Sequence, residues 1–187
     1  MTTELKRLPL ANIETIARAC VACRLHETRT NVVFARGNTK APIMLVGEAP
    51  GANEDRAGTP FVGAAGKLLN EMLDSVGIAQ NDVYVTNVVK CRPPANRPPH
   101  VDELDACRDF LAAQIFHIEP RVIVLLGSTA MKYARIDGGL LATRGKWQKY
   151  AGIDTLVTVH PAYCLRVSDG KVLLRADLAM VKDRLGR

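Results

Sequence analysis

The 187-residue sequence predicts an α/β protein, a three-layer αβα sandwich around a central four-stranded, mainly parallel sheet. Two observations carry this prediction. Strand-like and helix-like segments alternate along the chain. The strand-like segments are continuously apolar, which is typical of a parallel sheet covered by helices on both faces. We expect residues 1–187 to form a single domain, because the length suits one core and no repeat divides it.

Each element follows from a local pattern. The predicted strands cover residues 42–46, 83–89, 122–126 and 155–159. The predicted helices cover residues 11–19, 66–76, 100–118, 128–133 and 171–185. In the second helix, apolar residues recur at helical spacing from Leu68 to Val76, and the pattern stops at Gly77. Ser128 is the expected N-cap of its helix, and the proline-rich segment 93–100 is expected to be a loop.

The composition narrows the class of protein. Hydrophobic residues make up 48% and charged residues 24%, which excludes a disordered chain. No apolar run is long enough for a membrane span, and the first residues lack the apolar stretch of an export signal. We therefore expect a cytoplasmic monomer with no membrane partner. The net charge of +6 is compatible with a polyanionic partner such as nucleic acid.

Four of the five cysteines suggest a metal site. Cys20 and Cys23 form a Cys-x-x-Cys pair, and Cys91 and Cys107 would complete four ligands. Without an export signal, a disulfide framework is not expected. Zinc and iron–sulfur both remain open, although the 16-residue separation of the second pair favours a cluster. The alternative is that these are small core residues.

Polar residues follow the predicted strands. Ligands of parallel sheets bind beyond the carboxyl ends of the strands, where Glu48, Asn87, Ser128 and His160 would converge. Phe61, in a rigid loop between Pro and Gly, could be a core residue or a stacking platform for a base. Each residue has a structural explanation when taken singly. Together at one sheet edge, they indicate a functional site.

Four segments contain these residues: GEAPGANEDRAGTPFVGAAGKLL, TNVVKCRPP, LLGSTA and HPAYCLR. In this order they resemble the motifs of family 4 uracil-DNA glycosylases, the iron–sulfur members of the uracil-DNA glycosylase superfamily. The resemblance spans roughly residues 20–180. It implies a DNA-repair hydrolase that flips uracil out of DNA, cleaves its N-glycosidic bond, releases free uracil and leaves an abasic site. Such an enzyme would be nucleoid-associated through its DNA.

The resemblance also implies roles for individual residues. A [4Fe–4S] cluster on the four cysteines would join the N-terminal helix to the loop 91–107. The implied catalytic residues are Glu48, Asn87 and His160. The implied uracil-binding residues are Gly47, Glu48, Ala49, Phe61, Asn87 and His160, with Phe61 stacking on the base, Asn87 reading its O4/N3 edge and His160 bonding O2. The implied DNA contacts are Ser128, Cys164, Leu165 and Arg166, with Cys164 or Leu165 as an apolar wedge.

Several points remain open at this stage. Glu48 could orient water, stabilise the sugar cation or exclude a methyl group at the pyrimidine C5. The substrate could be single- or double-stranded uracil-containing DNA, and no replication or repair partner is indicated. The alternative function is a non-catalytic uracil-DNA or nucleic-acid-binding protein with a four-cysteine metal site. A phosphate-handling enzyme built on Gly127 and Ser128 would lack the P-loop lysine.

Overall fold

A computed structural model describes residues 2–186, with side chains from residue 4 onward. Met1 and Arg187, which the expected 1–187 domain includes, lie outside the described residues. The helices are α1 (Thr2–Leu5), α2 (Leu10–Arg18), α3 (Ala52–Ala57), α4 (Ala64–Ser75), α5 (Val101–Ile118), α6 (Ser128–Tyr133), α7 (Leu140–Thr143), α8 (Pro161–Cys164) and α9 (Gly170–Arg184). The strands are β1 (Arg36–Gly37), β2 (Ile43–Gly47), β3 (Val83–Asn87), β4 (Val122–Leu126), β5 (Trp147–Tyr150) and β6 (Ile153–Thr158). Over the described range, no helix is both long and apolar enough to cross a lipid bilayer.

The strands form one sheet in the order β1-β3-β2-β4-β6-β5. The four predicted strands are its centre, and β3, β2, β4 and β6 run parallel to one another. The predicted strand number is wrong, because within residues 2–186 the sheet has six strands. The short edge strands β1 and β5 pair antiparallel with their neighbours. They escape prediction because β1 has two residues and β5 is a partly exposed polar segment, so neither has an apolar run.

Each central strand buries both of its faces, which confirms the three-layer architecture. Met44 and Val46 of β2 pack into one apolar cluster with residues of α2 and α5. Ile43 and Leu45, on the opposite face of the strand, pack into a second cluster with residues of α4 and α9. Side chains alternate between the faces of a strand, so a strand that is apolar throughout requires a helix layer on each side.

One helix start differs from the prediction. Gly127, not Ser128, is the N-cap of α6, and Ser128 is the first helical residue. Gly127 has a φ of 92°, in the region that favours glycine, and a β-carbon there would lie 3.1 Å from that of His160. Because His160 lies so close, glycine is favoured over serine at the N-cap position of α6. Four short helices, α1, α3, α7 and α8, were not predicted; each has only four to six residues, too few for a recurring apolar pattern.

A buried ion pair fixes the end of β6. Two nitrogens of Arg144 donate to the carboxylate of Asp177 on α9, at 2.6 and 3.0 Å. Asp177 is 1% exposed, and its Oδ2 also accepts from the Thr158 hydroxyl at 2.6 Å. Thr158 is the last residue of β6 and lies two residues before His160. The network thus ties α9 to the strand that presents His160.

We expect Asp177→Ala to lower the free energy of unfolding by about 2–4 kcal/mol, because it leaves the partly buried Arg144 charge unpaired and removes the acceptor of the Thr158 hydroxyl. The matched control is Asp183→Ala on the exposed side of the same helix, where the change should stay within about 0.5 kcal/mol. Denaturant unfolding measures both variants. Equal losses in the two variants would contradict this account of the buried pair.

Candidate active site

A cleft of about 570 Å³ opens at the carboxyl edge of the sheet. The ends of β2 and β3 contribute Glu48 and Asn87, and the turn after β6 contributes His160. Ser128 at the start of α6 and Phe61 from the loop before α4 also line it. The structure thus brings together the residues that were expected to converge, because the parallel strands all end at this edge.

The cleft floor depends on close packing around Gly47. A β-carbon at this position would overlap Oδ1 of Asn87 and lie 2.7 Å from Cζ of Phe61. Phe61 itself has a φ of 56°, a strained conformation for an aromatic residue. Its backbone passes so close to Gly66 that a β-carbon there would overlap the Phe61 carbonyl. Gly47 therefore lies beneath the site rather than lining it, while Ala49 lines the wall.

Asn87, which lines the cleft, has an unsatisfied buried acceptor. Its side chain is 2% exposed, and among the described residues Oδ1 has no hydrogen-bond partner. Buried polar atoms almost always have a partner in folded proteins. A carbonyl oxygen left unpaired at the floor of a cleft is suited to accept an N–H from a ligand.

His160 is held in one neutral form. Its Nδ1 accepts from the backbone N–H of Ala162 at 3.1 Å, so the ring proton of the neutral imidazole lies on Nε2. Burial lowers the pKa of His160 to about 4, and the positive charge of Arg166 acts in the same direction. The ring centroid lies 5.8 Å from that of Phe61. At neutral pH the site therefore offers an N–H donor without a positive charge.

The carboxylates of the acidic segment have separate roles. Glu48 accepts a hydrogen bond from the hydroxyl of Thr129, which fixes one of its oxygens at the cleft wall. Glu54 also lines the cleft, and its Oε1 accepts from two backbone N–H groups of the loop that carries Phe61. Asp55 is buried and accepts from backbone N–H groups of residues 30 and 31. Sequence reasoning missed Thr129 and Glu54, since their contacts depend on the tertiary fold.

The predicted DNA-contacting residues divide into two groups. Ser128 and Arg166 line the cleft, and Leu165 is 51% exposed beside it. Cys164, the other residue expected to contact DNA, is 3% exposed and packs in the core cluster with residues of α9, so its side chain is not on the surface. Its thiol donates toward the carbonyl of His160 at 3.7 Å. The four-residue helix α8 turns Cys164 inward and leaves Leu165 outside.

The four predicted metal ligands surround one small cavity. Cys20 and Cys23 approach it from the segment after α2, Cys91 from the loop after β3 and Cys107 from α5. Within the described residues, no three ligand-type side chains are arranged to hold a single metal ion. In a cubane cluster, iron and sulfide occupy the centre, so the thiolates stand farther apart than around one ion. Four thiols that line one cavity are a donor set of the kind that binds zinc or an iron–sulfur cluster.

The environment of these thiols is apolar but contains two cations. Burial raises the pKa of Cys107 to about 12 and also raises the pKa of Cys91. Arg29 donates to the Cys91 sulfur at 3.3 Å and to the Cys20 carbonyl at 2.7 Å. Lys90, which sequence reasoning missed, also lines the cavity. The sequence feature that could have indicated it is a lysine between a buried strand and a predicted metal ligand. Burial lowers the pKa of Lys90 to about 7, while Cys107 and Cys91 act in the opposite direction.

Comparison with known proteins is consistent with this geometry. The family model of the uracil DNA glycosylase superfamily matches residues 34–180, and the chain belongs to that superfamily. The chain is 52% identical over 171 residues to a type-4 uracil-DNA glycosylase of Archaeoglobus fulgidus, covering 83% of this chain and 84% of the relative. It is 49% identical over 153 residues to the type-4 enzyme of Thermotoga maritima, covering 80% and 79%. It is 42% identical over 182 residues to that of Pyrobaculum aerophilum, covering 92% and 93%.

The protonation state of His160 can be measured directly. We expect nitrogen-15 NMR at pH 7 to show the Nε2-protonated tautomer, with no titration above pH 5, because the folded pKa is about 4. The unfolded chain binds a proton near the ordinary value of 6.5, so stability should fall as pH drops from 6.5 toward 4. A titration midpoint near 6.5 in the folded protein would contradict this assignment.

Proposed function

We propose that this protein is a DNA-repair uracil-DNA glycosylase that flips uracil out of DNA and hydrolyses its N-glycosidic bond. The observation that carries the proposal is the unpaired Oδ1 of Asn87 at the floor of the cleft. Uracil has an N3–H donor beside its O4 acceptor, which matches the carbonyl and amide groups of one asparagine. Cytosine has an acceptor at N3 and an amino donor at position 4, so it reverses this pattern.

The flipped base enters between a stacking surface and a reading edge. Phe61 lies next to Asn87 across Gly47, so its ring can cover the face of a base whose edge meets the amide. Ala49 lines the pocket beyond the end of β2, and Gly47, the last residue of that strand, lies beneath it. The strained backbone of Phe61 and its tight contacts hold the ring in place before substrate binds.

His160 and Glu48 act on the two charges that develop. Uracil leaves as an anion, and the Nε2–H of neutral His160 donates to O2, where negative charge grows. Thr129 occupies one oxygen of Glu48, so the other can orient water toward the anomeric carbon of the sugar. We therefore favour water positioning among the roles considered for Glu48.

The surface around the cleft would hold DNA. We propose that Leu165 fills the space left by the flipped base, since it is an exposed apolar residue between the cleft-lining Tyr163 and Arg166. Arg166 and the exposed N-terminus of α6 at Ser128 would contact neighbouring phosphates. The substrate is uracil-containing DNA, single- or double-stranded. We propose that a monomer of one domain acts on it in the cytoplasm, associated with the nucleoid through DNA.

We propose that Cys20, Cys23, Cys91 and Cys107 bind a [4Fe–4S] cluster. When bound, the cluster supplies four metal–thiolate bonds and a negative charge, and no step of the hydrolysis requires electron transfer. The four ligands come from three separate parts of the chain. The cluster would therefore hold α2 and the segment 91–100 against α5, which itself carries Cys107, beside the strand that ends at Asn87; the expected loop 91–107 is helical from Val101 onward.

Excision of uracil from an oligonucleotide tests the function. We expect the wild-type protein to release free uracil over many turnovers and to leave alkali-labile sites. Asn87→Ala should lower the single-turnover rate by about two orders of magnitude while duplex binding changes little, because Asn87 contacts the base and not the phosphates. Uracil-specific binding without any turnover would instead identify a non-catalytic uracil-DNA binder.

The wedge is tested by the pairing of the uracil. We expect Leu165→Ala to slow excision from a stable U·A pair more than from a U·G mismatch, and least from single-stranded DNA, which has no pair to hold open. Val167→Ala, at another exposed apolar residue of the same segment, is the matched control and should treat the three substrates alike. A uniform loss in Leu165→Ala would reject the wedge.

The cluster is tested by metal content and stability. We expect about four irons per chain, and we expect Cys107→Ser to lose iron and unfold at lower temperature, because the metal joins distant parts of the chain. Cys164→Ser is the matched control, since this cysteine lies in the core away from the cavity and should leave the iron content unchanged. Stoichiometric zinc from iron-replete cells would contradict the cluster.

A further inference from the structure

Lys90 is a buried lysine with a fully defined hydrogen-bond network. Its side chain is 1% exposed, and Nζ lies 2.7 Å from Oγ1 of Thr86, 2.7 Å from the carbonyl of Asn87 and 2.6 Å from Oε1 of Gln114. These three acceptors match the three N–H groups of an ammonium. The network therefore suits the charged form of the side chain.

The neighbouring groups also bond to one another. The hydroxyl of Thr86 has two acceptors for its own proton, the carbonyl of Phe34 at 2.8 Å and Oε1 of Gln114 at 3.2 Å. The amide nitrogen of Gln114 donates to the same carbonyl and to the hydroxyl of Tyr84, both at 3.1 Å. The oxygens that face Lys90 therefore accept from it, and α5 and β3 are joined through one ammonium group.

The charge of Lys90 has no carboxylate counterpart in the described part of the chain. All three of its hydrogen-bond acceptors are neutral, and a buried charge requires compensation to be tolerated. Burial lowers the pKa of Lys90, and Cys107 and Cys91 act in the opposite direction when their sulfurs are thiolates, as they are when they bind metal. Its backbone N–H also bonds to Cys107, and it lines the cavity that the four cysteines share.

The ammonium group of Lys90 also contacts a residue of the active site. The carbonyl that it binds belongs to Asn87, whose amide lines the cleft. The Lys90 carbonyl in turn accepts from the backbone N–H of Val33 at 2.8 Å, so the backbone of Lys90 is itself anchored. Lys90 thus contacts both Asn87, the last residue of β3, and Cys107, a proposed metal ligand on α5.

We propose that Lys90 is a positioning residue that couples the four-cysteine centre to Asn87. It provides the countercharge of the metal-loaded thiolates, and its ammonium holds the Asn87 peptide so that the amide meets the base edge. The proposal rests on the proposed function and cluster, and it adds that the charge of the metal centre stabilises the geometry of the uracil-reading residue.

The test compares Lys90→Met with Lys40→Met in the iron-loaded protein. Methionine keeps much of the length but removes the charge and all three donors. Lys40 is an exposed lysine before β2, at the opposite edge of the sheet from the cleft. We expect Lys90→Met to shift the midpoint potential of the cluster to more negative values, because a nearby positive charge favours the reduced state. It should also lower the single-turnover rate of excision at least about tenfold. In steady-state measurements, KM for the duplex should stay nearly unchanged. Lys40→Met should match the wild type in all three quantities.

Lys90→Gln is the second variant, because its amide can still donate within the buried network if methionine prevents folding. It should shift the potential in the same direction. If the folded variants kept the wild-type midpoint potential of the cluster, Lys90 would not be its countercharge. If they kept the wild-type excision rate, Lys90 would not position Asn87. If the iron-loaded wild-type protein excised no uracil, the proposed function would fail, and the potential would still test the link between Lys90 and the cluster.

Discussion

The absence of a β-carbon at Gly47 is the constraint on which the site depends. This glycine is the last residue of β2, and it lets the side chain of Asn87 and the ring of Phe61 approach each other across the strand end. Any larger residue would separate the side chain of Asn87, the proposed reader of the base edge, from the ring of Phe61, the proposed stacking surface. The parallel sheet supplies the convergence of strand ends, and this close approach turns the convergence into a binding pocket.

The same edge of the sheet contains features that cost stability. Asn87 has an unpaired buried oxygen, Phe61 has a strained backbone, and burial keeps His160 neutral. Each feature serves a ligand that carries complementary groups. The surrounding structure holds them in place through the Arg144–Asp177 pair, the two apolar clusters on the faces of the sheet and the network of Lys90.

The sequence was sufficient for the parts of the fold that local patterns define. The four central strands are long apolar runs, and the ordering of polar residues after them predicted which side chains share the cleft. The edge strands, the inward turn of Cys164 and the glycine cap at Gly127 were missed, because each depends on what the folded chain places next to it. Lys90 is the clearest case, since an isolated lysine indicates a surface position until its buried acceptors are known.

In the proposed function, the unpaired Asn87 oxygen is the receptor for uracil. A crystal structure of the protein with uracil bound tests this role. We expect the base to stack on Phe61, with N3 within hydrogen-bond distance of the Asn87 side-chain oxygen and O2 within hydrogen-bond distance of His160 Nε2. Uracil bound outside this cleft, or bound in it with the Asn87 oxygen still unpaired, would contradict the account.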